Sequence, residues 1–417
     1  MISIPLTLTL GSIDSLLKKV QEAPDAALRF PAKIELRSML SSAAYIQFLL
    51  TWAQLSNNRE VQFTLAKHEH LPFLASAPET VLPLLLAKKV SVRLTQSDTD
   101  ELIDITDLKN KGLDIFAPIE GGGIQKSLFG NDEPEFNDIP SKGPKVHLLA
   151  ADGEFRHAYP NWFYSGARDS REIRDADDLS SLVRNVLNLI RNHSIKKYGN
   201  WVDGLSENLG SMLYELIDNT HKWGRQSTSG EPIKLLRGAL FDVKFDHPGD
   251  KTRMSDIATD IPLIADFVTY HSRQSQTRNL GLLEMSVFDG GIGLSTRELL
   301  RREQVEPTIQ QEYEATLCCL KKWGTTSGQK GRGLGLDRVL ELASSRQGFV
   351  YLRTGRVVLY RDFANNPTSN QEVSNANTAF EKHVLHDGTS QGTRPTENNS
   401  VCGTLLSLIL PFSASNP

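Results

Sequence analysis

The sequence is short of cysteine, of charge imbalance and of long apolar runs, and each shortage excludes a class of protein. Three cysteines, two of them adjacent at Cys318 and Cys319, make neither a disulfide framework nor a zinc-ligand pattern. Lys and Arg total 46 against 50 Asp and Glu, a net charge of −4, so nothing draws the chain as a whole to nucleic acid or an anionic membrane. No run approaches the roughly 18 apolar residues of a membrane helix. The opening MISIPLTLTLGS has no basic flank before its short apolar stretch and does not read as a signal peptide. The expected compartment is the cytoplasm. What is present is a globular composition, 39% hydrophobic and 23% charged, over 417 residues, which is room for two or three domains.

Residues 1–118 alternate strand-like and helix-like segments. Ile2–Leu10, Lys33–Leu36, Val61–Leu65 and Val90–Leu94 suit strands. Ala43–Leu55 and Glu79–Ala87 are rich in helix formers, despite Pro83. The alternation predicts a small α/β domain. Its strand–helix–strand run from Lys33 to Leu65 resembles the STAS-type fold of anti-sigma-factor antagonists. That likeness implies a phosphorylated serine at Ser41 or Ser42; the alternative is a helix N-cap. Gly, Pro and acidic residues cluster from Ile119 to Lys145, so 119–175 reads as linker and connecting segment. The second domain is expected over 176–413, starting with an amphipathic helix at Asp177–Ile195. Within it, 245–279 is longer and more polar than a plain strand connection: an insertion that is either a partner or regulatory surface or a neutral one. Ala364–Ser400, mostly Asn, Thr, Ser and Gly, is expected to be a mobile loop.

Three segments carry chemistry. On a helix over 209–224, Leu209, Met212, Leu213 and Leu216 form a core stripe, and Glu215, Asp218, Asn219 and Lys222 form a polar stripe at the same spacing. Taken alone, such a polar stripe is more often a wet surface than a site. LLEMSVFDGGIGLS (282–295) reads as a strand alternating Leu283, Met285 and Val287 with Glu284 and Ser286, then breaks at Asp289-Gly290-Gly291-Ile292-Gly293. A carboxylate at a strand end can accept from a ligand where glycines let the backbone approach; a plain Gly-rich turn has the same letters. The polar, Gly-rich stretch Gly324–Gly333 runs into a helix opened by Leu334-Gly335-Leu336, and bared N–H groups at a helix start can cradle phosphate. GRGLGL is not the GxGxxG of a dinucleotide fold, and EGGGIQKS (120–127) has Gln125 where a P-loop needs Gly.

In order, Glu215-x-x-x-Asn219, Asp289-x-Gly291-x-Gly293, Gly331-x-Gly333-Leu334-Gly335-Leu336 and a final Gly403-Thr404 before an apolar run to Pro411 resemble the Bergerat-fold, or GHKL, ATPases. The superfamily includes DNA gyrase, heat-shock chaperone ATPases, MutL and histidine kinases. The resemblance covers roughly 176–413 and implies an α/β sandwich, a mixed sheet covered by helices, that binds ATP and Mg²⁺. It places Mg²⁺ on Asn219 and the adenine amino group on Asp289, helped by Thr404. Gly291 and Gly293 leave room for the nucleotide. The lid would supply Thr325, Thr326, Lys330, Gly331 and Gly333, with amides around Leu334, Gly335 and Leu336 on the phosphates. Lys222 matches a lysine that histidine kinases carry three residues after their Asn. Glu215 stands where gyrase, MutL, the chaperones and anti-sigma serine kinases carry the Glu that polarises the attacking group.

The resemblance therefore implies a slow ATPase acting as a conformational switch. The alternatives are a serine/threonine kinase of the anti-sigma type and a non-catalytic ATP sensor. A protein partner or homodimer through the N-terminal module is expected, with no membrane and no nucleic acid. KHEHLPF (67–73) resembles the phosphoacceptor box of histidine kinases but lacks the helical hairpin around it, so His68 and His70 read as loop residues. The stretch after Pro411 is too short for the transducer domain whose lysine reaches the terminal phosphate. Lys330, Arg332 or a partner is expected to stand in.

Overall fold

Pro5 has no N–H to give a ladder and breaks the strand expected over Ile2–Leu10. The chain makes β1 (Ile2–Ser3) and β2 (Thr7–Leu8), then enters α1 (Leu10–Glu22) through a capping box in which Thr9 and Ser12 exchange hydrogen bonds. The computed structural model describes residues 1–36, 38–66, 74, 77–94, 100–102, 141–142, 145–152, 158–166, 171–194, 203–227, 229–245, 262–274, 280–303, 306–320, 334–367, 383–387 and 395–413. The N-terminal elements continue with β3 (Leu28–Pro31), β4 (Glu35–Leu36), α2 (Ser41–Leu55), β5 (Glu60–Leu65), α3 (Pro78–Leu86), β6 (Lys89–Leu94) and β7 (Asp100–Leu102). A five-stranded sheet runs β1-β3-β5-β6-β7, parallel except for the last pair. The strand expected at Lys33–Leu36 is β4, which pairs only with β2; the strand in the main sheet is β3.

Helix α2 is buried from Ser41 through Ala53, as a helix apolar nearly all round must be. Neither serine caps it. Leu40 is the N-cap, in left-handed backbone with φ 64°, and no side chain of the helix start satisfies it. The Ser41 hydroxyl turns back to Ser38 O at 2.6 Å, and both serines are buried, so neither presents its hydroxyl to a modifying enzyme.

The second set of elements is β8 (Ser141–Lys142), β9 (Lys145–Ala151), β10 (Tyr164–Ser165), β11 (Glu172–Ile173), α4 (Ala176–Ser194), α5 (Asp203–Trp223), β12 (Leu236–Phe245), α6 (Pro262–Gln274), β13 (Leu280–Phe288), α7 (Leu294–Arg301), α8 (Ile309–Leu320), α9 (Leu334–Ser345), β14 (Phe349–Gly355), β15 (Val357–Asp362), β16 (His386–Asp387) and β17 (Val401–Ser413). Eight strands pair in the order β16-β15-β14-β17-β13-β12-β9-β8. Every adjacent pair is antiparallel, where the family likeness implied a mixed sheet. This sheet also begins earlier than expected. Lys145–Ala151, inside the stretch read as connecting segment, pairs with β12 along its length.

One face of the sheet packs Val146, Phe241, Met285, Leu406 and Leu408 against α4, α5 and α9. The helices α4 and α5 touch so closely that a Cβ on Gly210 would overlap the Ser180 backbone. The other face is covered too. Leu240, Leu282, Phe349, Leu405 and Ile409 share one core with α2, α6 and the five-stranded sheet. The polar 245–279 stretch therefore holds a core element: Ile264, Phe267 and Val268 of α6 are buried, and Phe267 packs on Phe349 with ring centroids 5.6 Å apart.

This cover explains why Glu284 and Ser286, polar positions on an alternating strand, do not face water. Both are fully buried. Glu284 Oε2 accepts the Leu40 N–H at 2.8 Å, so the sheet supplies the cap that α2 lacks locally. Of the loop expected over Ala364–Ser400, the described part includes β16, buried Leu385, and Asn398 and Asn399 bonded to Arg356 and Asp14; the rest lies outside the described residues. The segments 67–73 and 120–127 lie outside them as well. Among the described residues no helix is long and apolar enough to cross a membrane.

Candidate functional site

Four glycines pack around one carboxylate at the end of β13. Asp289 follows the strand directly and is 9% exposed. Its Oδ1 accepts the Gly291 N–H at 2.8 Å, and its own N–H donates to Thr404 O at 3.1 Å, tying the turn to β17. Around it, side chains have been removed. A Cβ on Gly224, just past the end of α5, would lie 2.5 Å from Asp289 Cβ. One on Gly291 would lie 2.6 Å from Gly224 Cα, and one on Gly403 would run into Asp289 O. Gly403 also needs left-handed backbone at φ 67°, and Gly293 does at φ 81°, where a Cβ would press on Thr354 Oγ1 at 2.7 Å. The glycines at 291, 293 and 403 are thus close-approach positions and not simply turn formers.

Burial pushes the Asp289 carboxyl up to about 6, against the pull of the Gly291 and Thr404 amides. Beside it, the Thr354 hydroxyl accepts the Leu294 N–H at 3.0 Å and donates to Gly403 O at 3.1 Å, and it sits 3.4 Å from the Thr404 hydroxyl. Thr354 is missing from the sequence motif. A hydroxyl inside an alternating strand gives no signal of its own.

Helix α5, which carries the polar stripe, ends at Trp223, directly before Gly224. Asn219 is exposed and Glu215 half-buried, one turn apart on one face. A Cβ on Gly204, near the start of α5, would meet the Arg346 guanidinium, just past the end of α9, at 3.6 Å. The two packed helices therefore run antiparallel. At about 1.5 Å per residue, the N-terminus of α9 at Leu334 comes level with about residue 216 of α5. Lys222 Nζ is ion-paired with Asp218 on the same helix. Thr325, Thr326, Lys330, Gly331 and Gly333 lie outside the described residues.

A second polar group backs the site. Asp152, after β9, is held by Arg237 at 3.0 Å and Arg225 at 3.1 Å, and His221 Nδ1 shares a 2.9 Å hydrogen bond with the Tyr164 hydroxyl. Burial and the two arginines lower His221 to about 4, so it is neutral at physiological pH. These contacts fix the end of α5 against β9, β10 and β12. His221 is visible in the crowded helix sequence; its partner Tyr164, 57 residues away along the chain, is not. On the other side of the helix end, the Arg297 guanidinium of α7 lies 3.0 Å over the Trp223 ring.

Among the described residues no cluster of three or more His, Cys, Asp or Glu side chains could hold a metal ion by itself. A magnesium ion bound chiefly through nucleotide phosphates does not need one, since it keeps most of its waters and takes one or two protein ligands. The exposed Asn219 amide fits that lesser demand. Compared with protein-family models, curated proteins and solved structures, the chain matches none.

Proposed function

We propose that this protein binds ATP with Mg²⁺ at Asp289 and the neighbouring end of α5, and hydrolyses it slowly as a conformational switch. The observation that carries this reading is the buried Asp289 carboxylate, walled by glycine backbone from three separate elements, at the end of the helix that bears Glu215 and Asn219. In it, Asp289 accepts the adenine amino group, and Gly224, Gly291 and Gly403 let three stretches of backbone close on that carboxylate. Asn219 would hold the metal, and Mg²⁺, when bound, offsets negative charge on the phosphates. Leu334, Gly335 and Leu336 offer backbone N–H groups at the start of α9 to those phosphates. Glu215 orients a water toward the terminal phosphate, a positioning task that supplies on the order of 10²–10⁴ in rate. Lys222 has to leave Asp218 before it can touch a nucleotide, so it is not given a role in binding.

The test is calorimetric titration of the intact protein with a non-hydrolysable ATP analogue, with and without Mg²⁺, then incubation with γ-labelled ATP. Free labelled phosphate supports the ATPase. Label on protein moves the assignment to the kinase, and binding without either product to the sensor. No binding of the analogue at millimolar concentration ends the reading.

A further inference from the structure

Strands β14 and β17 pair in register from Phe349↔Ile409 to Thr354↔Thr404, and the next pair is Gly355↔Val401. Cys402 and Gly403 are therefore extra residues on β17. Such a bulge bends the strand and re-aims the residues beside it, here Gly403 and Thr404 toward Asp289. It also frees backbone groups that need partners when buried. The Cys402 N–H finds one outside its own sheet, the Thr51 hydroxyl of α2 at 3.0 Å. That hydroxyl donates in turn to Gln47 O at 2.8 Å. The Gln47 side-chain amide donates to Arg353 O at 3.2 Å, on the facing strand and one residue before Thr354.

Both side chains are 1% exposed and sit one helical turn apart, so a single turn of α2 holds both strands where they meet the Asp289 turn. The same helix touches the Asp289 turn: a Cβ on Gly290 would lie 3.5 Å from Leu50 Cδ2. From α1, Asp14 accepts from Arg353 Nη2 and from Asn399 Nδ2, each at 2.8 Å. The N-terminal helices thus bond to the backbone and side chains on both sides of the bulge.

We infer that Thr51 and Gln47 are positioning residues for base recognition: α2 of the N-terminal module sets the β17 bulge that presents Gly403 and Thr404 to Asp289. The inference rests on the nucleotide reading of the site. It gives the N-terminal module a defined task, and it makes the packing of that module and the affinity for adenine mutually dependent.

Thr51→Val keeps the side-chain shape and removes the acceptor, whereas Thr51→Ser keeps the acceptor. Binding of AMP-PNP and GMP-PNP to the full chain is measured for each, with hydrogen exchange at the Cys402 amide in the absence of ligand. Thr51→Val should lower the preference for AMP-PNP over GMP-PNP by about ten-fold and speed Cys402 exchange, while Thr51→Ser stays near the parent in both. An unchanged preference in a Thr51→Val protein that still binds AMP-PNP overturns the inference. So does an equal loss of both nucleotides, which a general loosening of the fold would give. A parent protein that binds neither nucleotide defeats the nucleotide reading instead. Cys402 exchange that stays slow in Thr51→Val overturns the contact itself, whatever the ligand result.

Discussion

Lowering the pH should weaken adenine binding through one group, Asp289. Burial holds its carboxyl up at about 6 in the folded protein. The ionised carboxylate accepts on both oxygens, whereas the protonated acid gives one of them a competing donor. With a midpoint near 6, about nine-tenths of the protein is protonated at pH 5 and about one-hundredth at pH 8. If the carboxylate form alone binds, affinity falls about ten-fold from pH 8 to pH 5, or about 1.4 kcal/mol. Each complex formed at pH 5 then releases close to one proton. Stability of the free protein runs the other way through this group. Its folded value lies above the ordinary aspartate value of 3.8, so its contribution is fully present below about pH 4 and is lost as pH rises through 6. Acid thus favours the empty fold while it disfavours the complex. Calorimetry with adenosine, which carries no phosphate to titrate, isolates the effect at pH 5, 6, 7 and 8. Asp289→Asn should bind more weakly than the parent at pH 8 and show no such pH step. A parent affinity for adenosine that is the same at pH 5 and pH 8 would refute the reasoning.

Glu215→Ala should keep AMP-PNP affinity within a few-fold and lose about 10²-fold of phosphate release; parent-like turnover would return Glu215 to the helix surface. Asn219→Ala should remove the Mg²⁺-dependent part of ATP affinity with a nearly unchanged melting temperature, because the side chain is exposed; an equal Mg²⁺ enhancement in both proteins would show that the metal lies elsewhere. Glu284 is raised to about 7 by burial and by Asp242 beside it, above the ordinary glutamate value of 4.5, so its contribution to stability is full below pH 4.5 and lost as pH rises through 7. Glu284→Gln should remove about 2–3 kcal/mol of stability change between pH 5 and pH 8 in urea unfolding, and parallel pH curves for the two proteins would contradict this. Gly403→Ala, forced to φ 67° with its Cβ against Asp289 O, should lose more than about 2 kcal/mol of stability and adenosine binding with it, which a thermal melt and calorimetry would check together.

The elements that carry the motif were legible because they are long and periodic. Helix α5 shows its core stripe at Leu209, Met212, Leu213 and Leu216; the first three are buried and Leu216 is partly buried against the same core. β13 and β17 read as strands for the same reason. What stayed hidden depended on partners distant in the chain. β3, only four residues of Leu-Arg-Phe-Pro, is too short to show a period. β9 directly follows a Gly- and Pro-rich run that masks its start. The period-2 pattern of β13 separates Glu284 and Ser286 from the apolar positions, but alternation reports polarity and not what covers the polar face. α2 supplies that cover, and α6 does so from a stretch whose polar composition suggested a surface. The carboxylate and glycines of the site were visible as letters. Thr354, Gly224 as a contact of Asp289, and the Thr51 bond to Cys402 come only from the fold.

The covered second face limits how a nucleotide could move this protein. Leu240, Leu282, Leu405 and Ile409, on the side of the sheet that shares a core with α2 and α6, are all fully buried. Returning even these four to water would cost on the order of 6 kcal/mol or more, at about 1.5–3 kcal/mol each. Coupling between two ligand sites is typically about 1–3 kcal/mol. The buried Asp242 and Glu284, with the partly buried Lys145 and Lys244 beside Asp242, lower that barrier somewhat, since charged groups regain hydration on exposure. The polar contacts also set a register: Lys145 Nζ bonds Ser42 Oγ at 2.9 Å and Leu36 O at 3.2 Å, so α2 cannot slide along the sheet without breaking them. Release of the whole N-terminal module is therefore out of reach of one nucleotide. A shift of tenths of an ångström at the β17 bulge is within reach, because it exchanges one hydrogen-bond geometry for another without exposing the core. If the proposed nucleotide switch operates, its signal would pass through Thr51 and Gln47 while α2 stays docked.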